Sequence, residues 1–239
     1  MFIKTLLKGT FTAAALLAGT GAMAYVIDFD TDANGNSISN GQIIDDEYSA
    51  WGVTISGDNP FRSFDYAVAF DSDLSNTRDD DLEAPFTNSA GVTLNPGNIL
   101  IVQENDNCNG IICNQPDDEG TNRASNASLT FSFDSAVTID SLNLFDINPS
   151  RSSEQNGTIE FYLADSSSVT VNIPLTGGDN SWAELLLGVT NVQSFSVFLD
   201  GSGAIDDIAF SVDVPEPATL ALFGLGLAGL AAARRKKAN

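Results

Sequence analysis

The chain has 239 residues, of which 32 are acidic and only 10 basic, and its formal net charge is −22 at pH 7. A chain this acidic repels nucleic acid and anionic membrane surfaces and attracts cations, so we expect no nucleic-acid partner. It contains no histidine, which excludes a Ser-His-Asp or Cys-His catalytic arrangement and any histidine-ligated metal.

The first 24 residues have the pattern of a secretory signal peptide. Two lysines precede a mostly apolar stretch, and Ala22 and Ala24 then form a small-x-small cleavage site around Met23. The alternative is a buried N-terminal helix, which fits less well with the signals at the other end of the chain. We therefore expect residues 1–24 to be removed, leaving Tyr25 as the mature N-terminus.

Residues 25–213 form the body of the chain, and their length predicts one domain. They carry four arginines against 31 acidic residues, a net charge of −27, and contain no lysine. Such self-repulsion is relieved by bound divalent ions or by high external salt, which favours an extracellular protein. The regular apolar alternation described next argues against disorder.

Apolar residues alternate with polar ones along most of the body, which predicts half-buried strands. Turn-forming Asn, Asp, Gly and Pro clusters separate the strands. The fold class is therefore all-β, an antiparallel β-sandwich of jelly-roll type. Only Trp182 to Gly188 comes near a helical period. The predicted strands are 26–29, 52–56, 67–70, 99–103, 129–133, 138–145, 159–163, 169–173, 195–199 and 204–212.

Directly after the first predicted strand, residues 30–35 fit D-x-D-x-N-G, the first half of a calcium-binding loop. Asp30, Asp32 and Asn34 would supply oxygen ligands. The EF-hand pattern is excluded because the twelfth position is Gly41 instead of Glu and because a strand precedes the loop. A strand-loop calcium site completed by Asp45, Asp46 or Glu47 remains open, and so does a plain acidic turn.

Two further acidic clusters follow along the chain. Four arginines cannot pair with this many carboxylates, so water and diffuse counterions or calcium must neutralise most of them. The clusters consist of Asp71, Asp73, Asp79, Asp80, Asp81 and Glu83, and of Glu104, Asp106, Asp117, Asp118 and Glu119.

Cys108 and Cys113 are the only cysteines, and they lie in a long polar loop. In an exported chain this spacing predicts a small disulfide loop. A zinc site is the alternative, but two cysteines without histidine make a poor one. We expect the disulfide to hold the loop and to do no chemistry.

Five aromatic residues could stack on sugar rings or could pack in the core. Sequence alone leaves both roles open for Trp51, Trp182, Tyr48, Tyr66 and Tyr162. Phe61 and Phe64 lie in a polar segment and are better candidates for exposure.

The last predicted strand, within residues 201–210, reads GSGAIDDIAF and resembles the closing strand of galactose-binding-like and carbohydrate-binding-module jelly rolls. The resemblance extends weakly to the first strands. In those families the closing strand often carries an aspartate that ligates a structural calcium near the first strand. The resemblance implies that Asp206 or Asp207 joins Asp30 and Glu47 around one ion.

Residues 214–239 begin with Pro215, Glu216 and Pro217, continue as an uncharged apolar segment of 15 residues, and end in a basic cluster that includes Arg234 and Arg235. The segment is shorter than the ~20 residues of a typical spanning helix. The basic end would stay on the cytoplasmic side of a membrane.

This order of signals resembles the PEP-CTERM sorting signal, which an exosortase is thought to recognise and remove. The alternative is a plain C-terminal membrane anchor. The resemblance implies transient anchoring in the inner membrane. It also implies delivery to the envelope, outer surface or extracellular matrix of a Gram-negative-type bacterium.

The sequence therefore favours a non-enzymatic exported protein of the cell surface or extracellular matrix, with a calcium-stabilised β-sandwich. We expect it to associate with extracellular polysaccharide. A glycan-selective carbohydrate-binding module is the alternative. A small glycoside-active enzyme is a third hypothesis, which would need two carboxylates facing each other across a groove at about 5–9.5 Å.

Overall fold

The structure is a computed structural model, and it describes residues 22–60, 62, 65–117, 127–147, 157–199 and 203–213. The compact unit spans Met23–Val212. Its strands are β1 (Ala22–Ile27), β2 (Val53–Asp58), β3 (Ala67–Asp71), β4 (Phe86–Thr87), β5 (Thr93–Leu94), β6 (Asn98–Val102), β7 (Ala127–Phe145), β8 (Thr158–Leu163), β9 (Ser168–Asn172), β10 (Trp182–Leu199) and β11 (Ala204–Asp213).

Nine of these strands form one hydrogen-bonded network in the order β3-β6-β11-β7-β10-β8-β9, with β1 paired to β11 and β2 paired to β7. The pairs β2–β7, β3–β6, β6–β11, β7–β10, β7–β11, β8–β10 and β8–β9 run antiparallel, and so does the small separate pair of β4 and β5. The architecture is all-β and fits the predicted jelly-roll sandwich.

Each of the two longest strands, β7 and β10, runs through both halves of the network. One half contains β2, β8 and β9, and the other contains β1, β3, β6 and β11. The first part of β7 pairs with β2 and with the end of β10, and its last part pairs with β11 and with the start of β10. The register of β10 shifts three times between Leu186 and Ser194, where Gly188 and Asn191 have left-handed backbones (φ of 65° and 63°). Such irregularities bend a strand.

The main core lies between the inner faces of the two halves. Phe131 of β7 stacks on Phe195 of β10, with ring centroids 4.7 Å apart, and Phe133 contacts Phe210 of β11 at 5.3 Å. All four side chains are at least 96% buried, and burial of each aromatic ring contributes about 1.5–3 kcal/mol. A second buried cluster, which includes Phe70, Phe86 and Phe145, lies beside the disulfide loop.

One sequence-based assignment needs correction, and one segment without a predicted strand belongs to a strand. The segments 129–133 and 138–145 were predicted as separate strands, but they form the single strand β7. Trp182 to Gly188, the segment closest to a helical period, opens strand β10, because its residues pair with β7 from Phe145 to Ser141. In both places strand pairing overrides the local pattern.

The disulfide between Cys108 and Cys113 is confirmed. The predicted cleavage after Ala24 falls inside β1, so processing there would leave Tyr25, Val26 and Ile27 in this strand. The rest of the predicted signal peptide and residues 214–239, with Pro215, the apolar segment and the basic cluster, lie outside the described residues. Among the residues that are described, no helix is long and apolar enough to cross a membrane.

Candidate functional site

Four aspartates lie near one another at the end of the first strand and in the last strand. Asp28 and Asp30 follow β1, while Asp206 and Asp207 lie in β11, the strand with which β1 pairs. The carboxyl of Asp206 is within electrostatic range of the three others. We call Asp28, Asp30, Asp206 and Asp207 the acidic junction.

Asp206 is the most buried member of the acidic junction. It lies in β11, and only 1% of the residue is exposed. Its Oδ1 atom has no hydrogen-bond partner. Burial, together with the negative charges of Asp207, Asp30 and Asp28, raises the pKa of Asp206 well above its usual range. A carboxylate in this position is costly unless it gains a proton or a positive partner.

Asp30 is held in place by the start of β6. The backbone N–H of Asn98 donates to Asp30 Oδ1 at 2.9 Å, and the Asn98 side chain donates to the carbonyls of Phe29 and Ile38 at 3.0 and 3.1 Å. Gly97 allows this approach, since a Cβ there would lie 2.5 Å from Asp30 Oδ1. Partial burial raises the pKa of Asp30 despite the hydrogen bond from Asn98, and Asp28, Asp71 and Asp73 add to the rise.

Asp28 shapes the turn that carries Asp30. Its Oδ1 accepts the backbone N–H groups of Asp30 and Thr31 at 3.1 and 3.2 Å. The hydroxyl of the buried Tyr48 donates a hydrogen bond to the Thr31 carbonyl at 3.0 Å and so holds the same turn. Burial raises the pKa of Tyr48, and the charges of Asp28 and Asp206 raise it further.

Asp207 follows Asp206 in β11, at a shift in the register with β7. It accepts a hydrogen bond from Asn143 Nδ2 at 2.9 Å, and burial and the charge of Asp28 raise its pKa. Asp207 and Phe29 both have left-handed backbones, with φ of 49° and 52°. For non-glycine residues this conformation costs about 1–3 kcal/mol, and it persists only where the surroundings impose it. Both chain segments of the acidic junction are therefore strained.

The other predicted calcium ligands lie in a different environment. Asp32 accepts the backbone N–H groups of Asn34 and Asn36 at 2.8 and 2.9 Å and the Asn36 side chain at 2.7 Å. These hydrogen bonds lower its pKa. Glu47 accepts Gln42 Nε2 at 2.9 Å and the N–H of Asp45 at 2.8 Å. The structure therefore brings Asp30, Asp206 and Asp207 together and leaves Asp32, Asn34 and Glu47 in self-contained turns.

Sequence reasoning missed Asp28 and Asn98. Asp28 could have been found, because it precedes Asp30 by two residues at the end of the first predicted strand. Asn98 could not, since it lies 68 residues from Asp30 and only the pairing of the strands brings it there.

Two groups of three carboxylates among the described residues have oxygens within 4.8 Å of one another, which is close enough for a shared metal ion. Neither includes Asp30 or Asp206. They are Asp45, Asp46 and Glu47, which are largely exposed, and Asp81, Asp146 and Asp179, of which Asp146 is buried.

The aromatic candidates are mostly used for packing. Trp51 contacts Tyr25 and Tyr48, with ring centroids 5.2 and 5.5 Å away, and Trp182 donates its indole N–H to the Val92 carbonyl at 3.0 Å. Tyr48 is buried, and Tyr66 and both tryptophans are half-buried. Tyr162 is 44% exposed, while Phe61 and Phe64 lie outside the described residues.

Tyr162 belongs to a surface rich in hydroxyl groups, which we call the hydroxyl face. It is the outer side of five adjacent strands in the order β2, β7, β10, β8 and β9. Thr130 and Ser196 share a hydrogen bond of 2.8 Å on it, and the Tyr162 hydroxyl donates to Glu160 at 2.8 Å. Its two rows are Ser56, Thr130, Ser196, Glu160 and Thr170, and Thr54, Ser132, Ser194, Tyr162 and Ser168.

Comparison with known protein families identifies the end of the chain. Residues 213–236 match the PEP-CTERM protein-sorting motif. The match confirms the predicted sorting signal, which indicates an exported cell-surface protein that is processed at the membrane. No curated protein matches the chain.

Solved structures resemble only part of the body. Recombinant discoidin II of Dictyostelium discoideum aligns with a TM-score of 0.28 and 12% identity, over 38% of this chain and 39% of that one. Wild-type discoidin II gives the same score and coverage at 10% identity. A putative chitobiase fragment from Bacteroides thetaiotaomicron gives a TM-score of 0.22 and 10% identity over 38% and 62% of the chains. The chain thus spans less than two thirds of each neighbour, and similarities this low assign no activity.

Proposed function

We propose that this chain is a non-enzymatic protein of the cell surface or extracellular matrix, whose β-sandwich is stabilised by a calcium ion at the acidic junction. The observation that carries the calcium proposal is the buried Oδ1 atom of Asp206, which has no hydrogen-bond partner. The sorting motif at residues 213–236 supports the location.

A cation is the partner that the acidic junction needs. The ion pair found among the described residues joins Arg78 to Asp117 at 3.1 Å and involves no junction residue. Protonation could neutralise Asp206 alone, but it would leave Asp28, Asp30 and Asp207 as adjacent negative charges. A single divalent ion would offset several of them at once.

The ligand chemistry fits calcium, which takes six to eight oxygen ligands at about 2.3–2.6 Å and tolerates irregular geometry. The acidic junction offers carboxylate oxygens of Asp28, Asp30 and Asp206 from two chain segments. Because these three carboxylates do not form one of the close groups, main-chain carbonyls or water would complete the ligand set. Calcium is abundant outside the cell, where the sorting signal directs the protein.

The calcium proposal is tested by thermal unfolding of the purified protein in low salt, with calcium and with a chelator. A ligand that binds only the folded state at 100 times its Kd adds about 2.7 kcal/mol to the free energy of unfolding. We expect the midpoint to rise with calcium and to rise much less with the same ionic strength of sodium chloride. An unchanged midpoint would refute the calcium proposal.

The sorting role belongs to the tail. We expect an exosortase-type enzyme to act on residues 214–239 after export, with transient anchoring in the inner membrane of a Gram-negative-type bacterium. Deletion of residues 215–239 should misdirect the protein and leave its melting temperature unchanged. Intact-mass measurement of protein recovered from the host would locate both cleavage points. If the truncated body fails to fold, the tail is part of the domain.

A second candidate function, binding of extracellular polysaccharide, is favoured by the hydroxyl face. Aromatic rings beside hydroxyl and carboxylate groups suit sugar rings, and Tyr162 with Glu160 offers this combination at an exposed position. We expect Tyr162→Ala to weaken retention on the host exopolysaccharide. The matched control is Tyr66→Ala, away from this face. Equal retention of the wild type and of Tyr162→Ala would remove this candidate.

A further inference from the structure

The strand β9, at the end of the nine-stranded network, has an open edge. It pairs with β8 on one side, and no strand among the described residues pairs with its other side. All five residues except Val171 are exposed. Val169 is 39% exposed, although it points toward the inner side of the sheet like its partner Phe161. An open edge of this kind is a template for another strand.

Other edges of the network are covered by the chain itself. At β3, the N–H of Gly41 donates to the Ala69 carbonyl at 2.7 Å, and the N–H of Ala69 donates to the backbone carbonyl of Gln42 at 3.0 Å. At β2, the N–H of Ile55 donates to the Asp45 carbonyl at 2.9 Å. The edge of β9 also lacks the usual protections, since its sequence SVTVN contains no charge and no proline.

The hydrogen-bond pattern shows which groups face outward from β9. Leu163 donates to the Ser167 carbonyl at 2.9 Å, and Ile173 donates to the Gly157 carbonyl at 3.1 Å. Because bonded pairs alternate along an antiparallel ladder, the odd-numbered residues of β9 point their N–H and C=O groups toward β8. The N–H and C=O groups of Ser168, Thr170 and Asn172 therefore point away from the sheet.

This edge is complementary to a second copy of itself. We propose that two copies of this chain associate through β9, antiparallel, about a twofold axis at Thr170. Thr170 then pairs with Thr170 of the second copy, and Ser168 pairs with Asn172, so that all three outward-facing residues find outward-facing partners. The same register places Val169 opposite Val171 on the inner side, which covers the exposed Val169 side chain.

Charge favours this contact over others between copies. The body carries a net charge of −27, so most of its surfaces repel a second copy, but β9 carries no charge. A twofold contact uses the same strand in both copies and closes as a dimer without growing into a filament. Because the contact involves only five residues per copy, against about 20–30 in a standard interface, the dimer should be weak and concentration-dependent.

The register is tested by cross-linking of the full chain in detergent, with Thr170→Cys and the matched variant Ser168→Cys. Directly opposed residues in a bonded pair have Cα atoms about 5.5 Å apart, within the range that a disulfide spans. Residue 168 of one copy would lie opposite residue 172 of the other, four residues along the strand from residue 168 of that copy. We expect mild oxidation to link Thr170→Cys into dimers at least about tenfold faster than Ser168→Cys.

Equal rates for the two cysteine variants, or no dimer from either, would overturn the proposal. Association through the hydrophobic tail would link both variants alike, so the comparison separates the two causes. Sedimentation of Thr170→Lys gives a second test, because it places two like charges at the twofold axis. We expect a weaker dimer than for Thr54→Lys, which adds the same charge on β2. Unchanged thermal midpoints check that both lysine variants fold.

The dimer does not depend on the ligand of the acidic junction. We expect the cross-linking difference to persist in chelator, provided that the protein remains folded. A result that supports the dimer but shows no calcium response would refute the calcium proposal alone.

Discussion

Asp30 and Asp32 are two residues apart in one turn, yet their carboxylates have opposite surroundings. The carboxyl of Asp30 is partly desolvated and lies near the other carboxylates of the acidic junction, and its pKa is raised. Asp32 accepts three hydrogen bonds from Asn34 and Asn36, and its pKa is lowered. A carboxylate that local hydrogen bonds already satisfy needs no cation, whereas one that is desolvated near other carboxylates does. Position along the calcium-like motif is therefore less informative than the environment of each carboxylate.

The largest effect should come from Asp206→Asn, which removes the buried charge and keeps the shape of the side chain. We expect the stabilisation by calcium, about 2.7 kcal/mol at 100 times the Kd, to be lost. In chelator the variant should be more stable than the wild type, because the repulsion from Asp207, Asp30 and Asp28 is reduced. Paired urea unfolding curves with and without calcium measure both changes. A full calcium response in the variant would show that the ion binds elsewhere.

Asp30→Asn should have the next largest effect. The amide oxygen can still accept the N–H of Asn98, so the turn is expected to persist while one charged ligand is lost. We expect the calcium affinity to fall about tenfold or more, measured by calorimetric titration. The matched control is Asp32→Asn, two residues away, with an affinity within about twofold of the wild type. If both variants lose affinity equally, the ion is bound by the whole loop and not by the acidic junction.

The pH dependence should separate the same two residues. Asp206, Asp207 and Asp30 have raised pKa values, so each binds protons more tightly in the folded state than in the unfolded state. Their stabilising contribution is present below the unfolded value of about 3.9 and is lost as the pH rises through their folded pKa values.

In chelator, the melting temperature of the wild type should therefore rise as the pH falls from 7 toward 4.5. The lowered pKa of Asp32 has the opposite effect. Its stabilising contribution is lost as the pH falls below the pKa of the unfolded state toward the lower pKa of the folded state. Asp206→Asn should flatten the slope between pH 7 and 4.5. A slope as steep as that of the wild type would mean that other carboxylates cause it.

The smallest effect should come from Asp32→Ala. It removes the acceptor for three hydrogen bonds in an exposed turn, which we expect to lower the melting temperature slightly. The loss should be the same with calcium and with chelator, since the turn is complete without an ion. A loss that appears only in calcium would place Asp32 among the ligands and remove the distinction from Asp30.

Much of the fold was predictable because strand periodicity is a local signal. The alternation around Phe131 and Phe161 correctly predicted strands and their buried faces, and the alternation around Val171 predicted a strand that is mostly exposed. The joining of two predicted strands into β7 was not predictable, since a polar interruption at residues 134–136 reads as a turn unless the partner strand is known. Trp182 to Gly188 was ambiguous for the same reason.

The acidic junction was predictable only in part. The pairing of the first and last strands followed from a family resemblance, which placed Asp30 near Asp206. The separation of Asp32 and Glu47 from this site depends on local donors, Asn36 and Gln42, whose orientations no sequence pattern specifies. The contact of Asn98 with Asp30 depends on a chain reversal over 68 residues.

The most direct test of the calcium proposal is a crystal structure of the protein with a divalent ion that scatters anomalously, such as manganese, in place of calcium. We predict an anomalous peak at the acidic junction, within ligand distance of the carboxylates of Asp30 and Asp206, that disappears in Asp206→Asn crystals. A peak confined to Asp81, Asp146 and Asp179 or to Asp45, Asp46 and Glu47, or no peak while calcium still raises the melting temperature, would contradict this account.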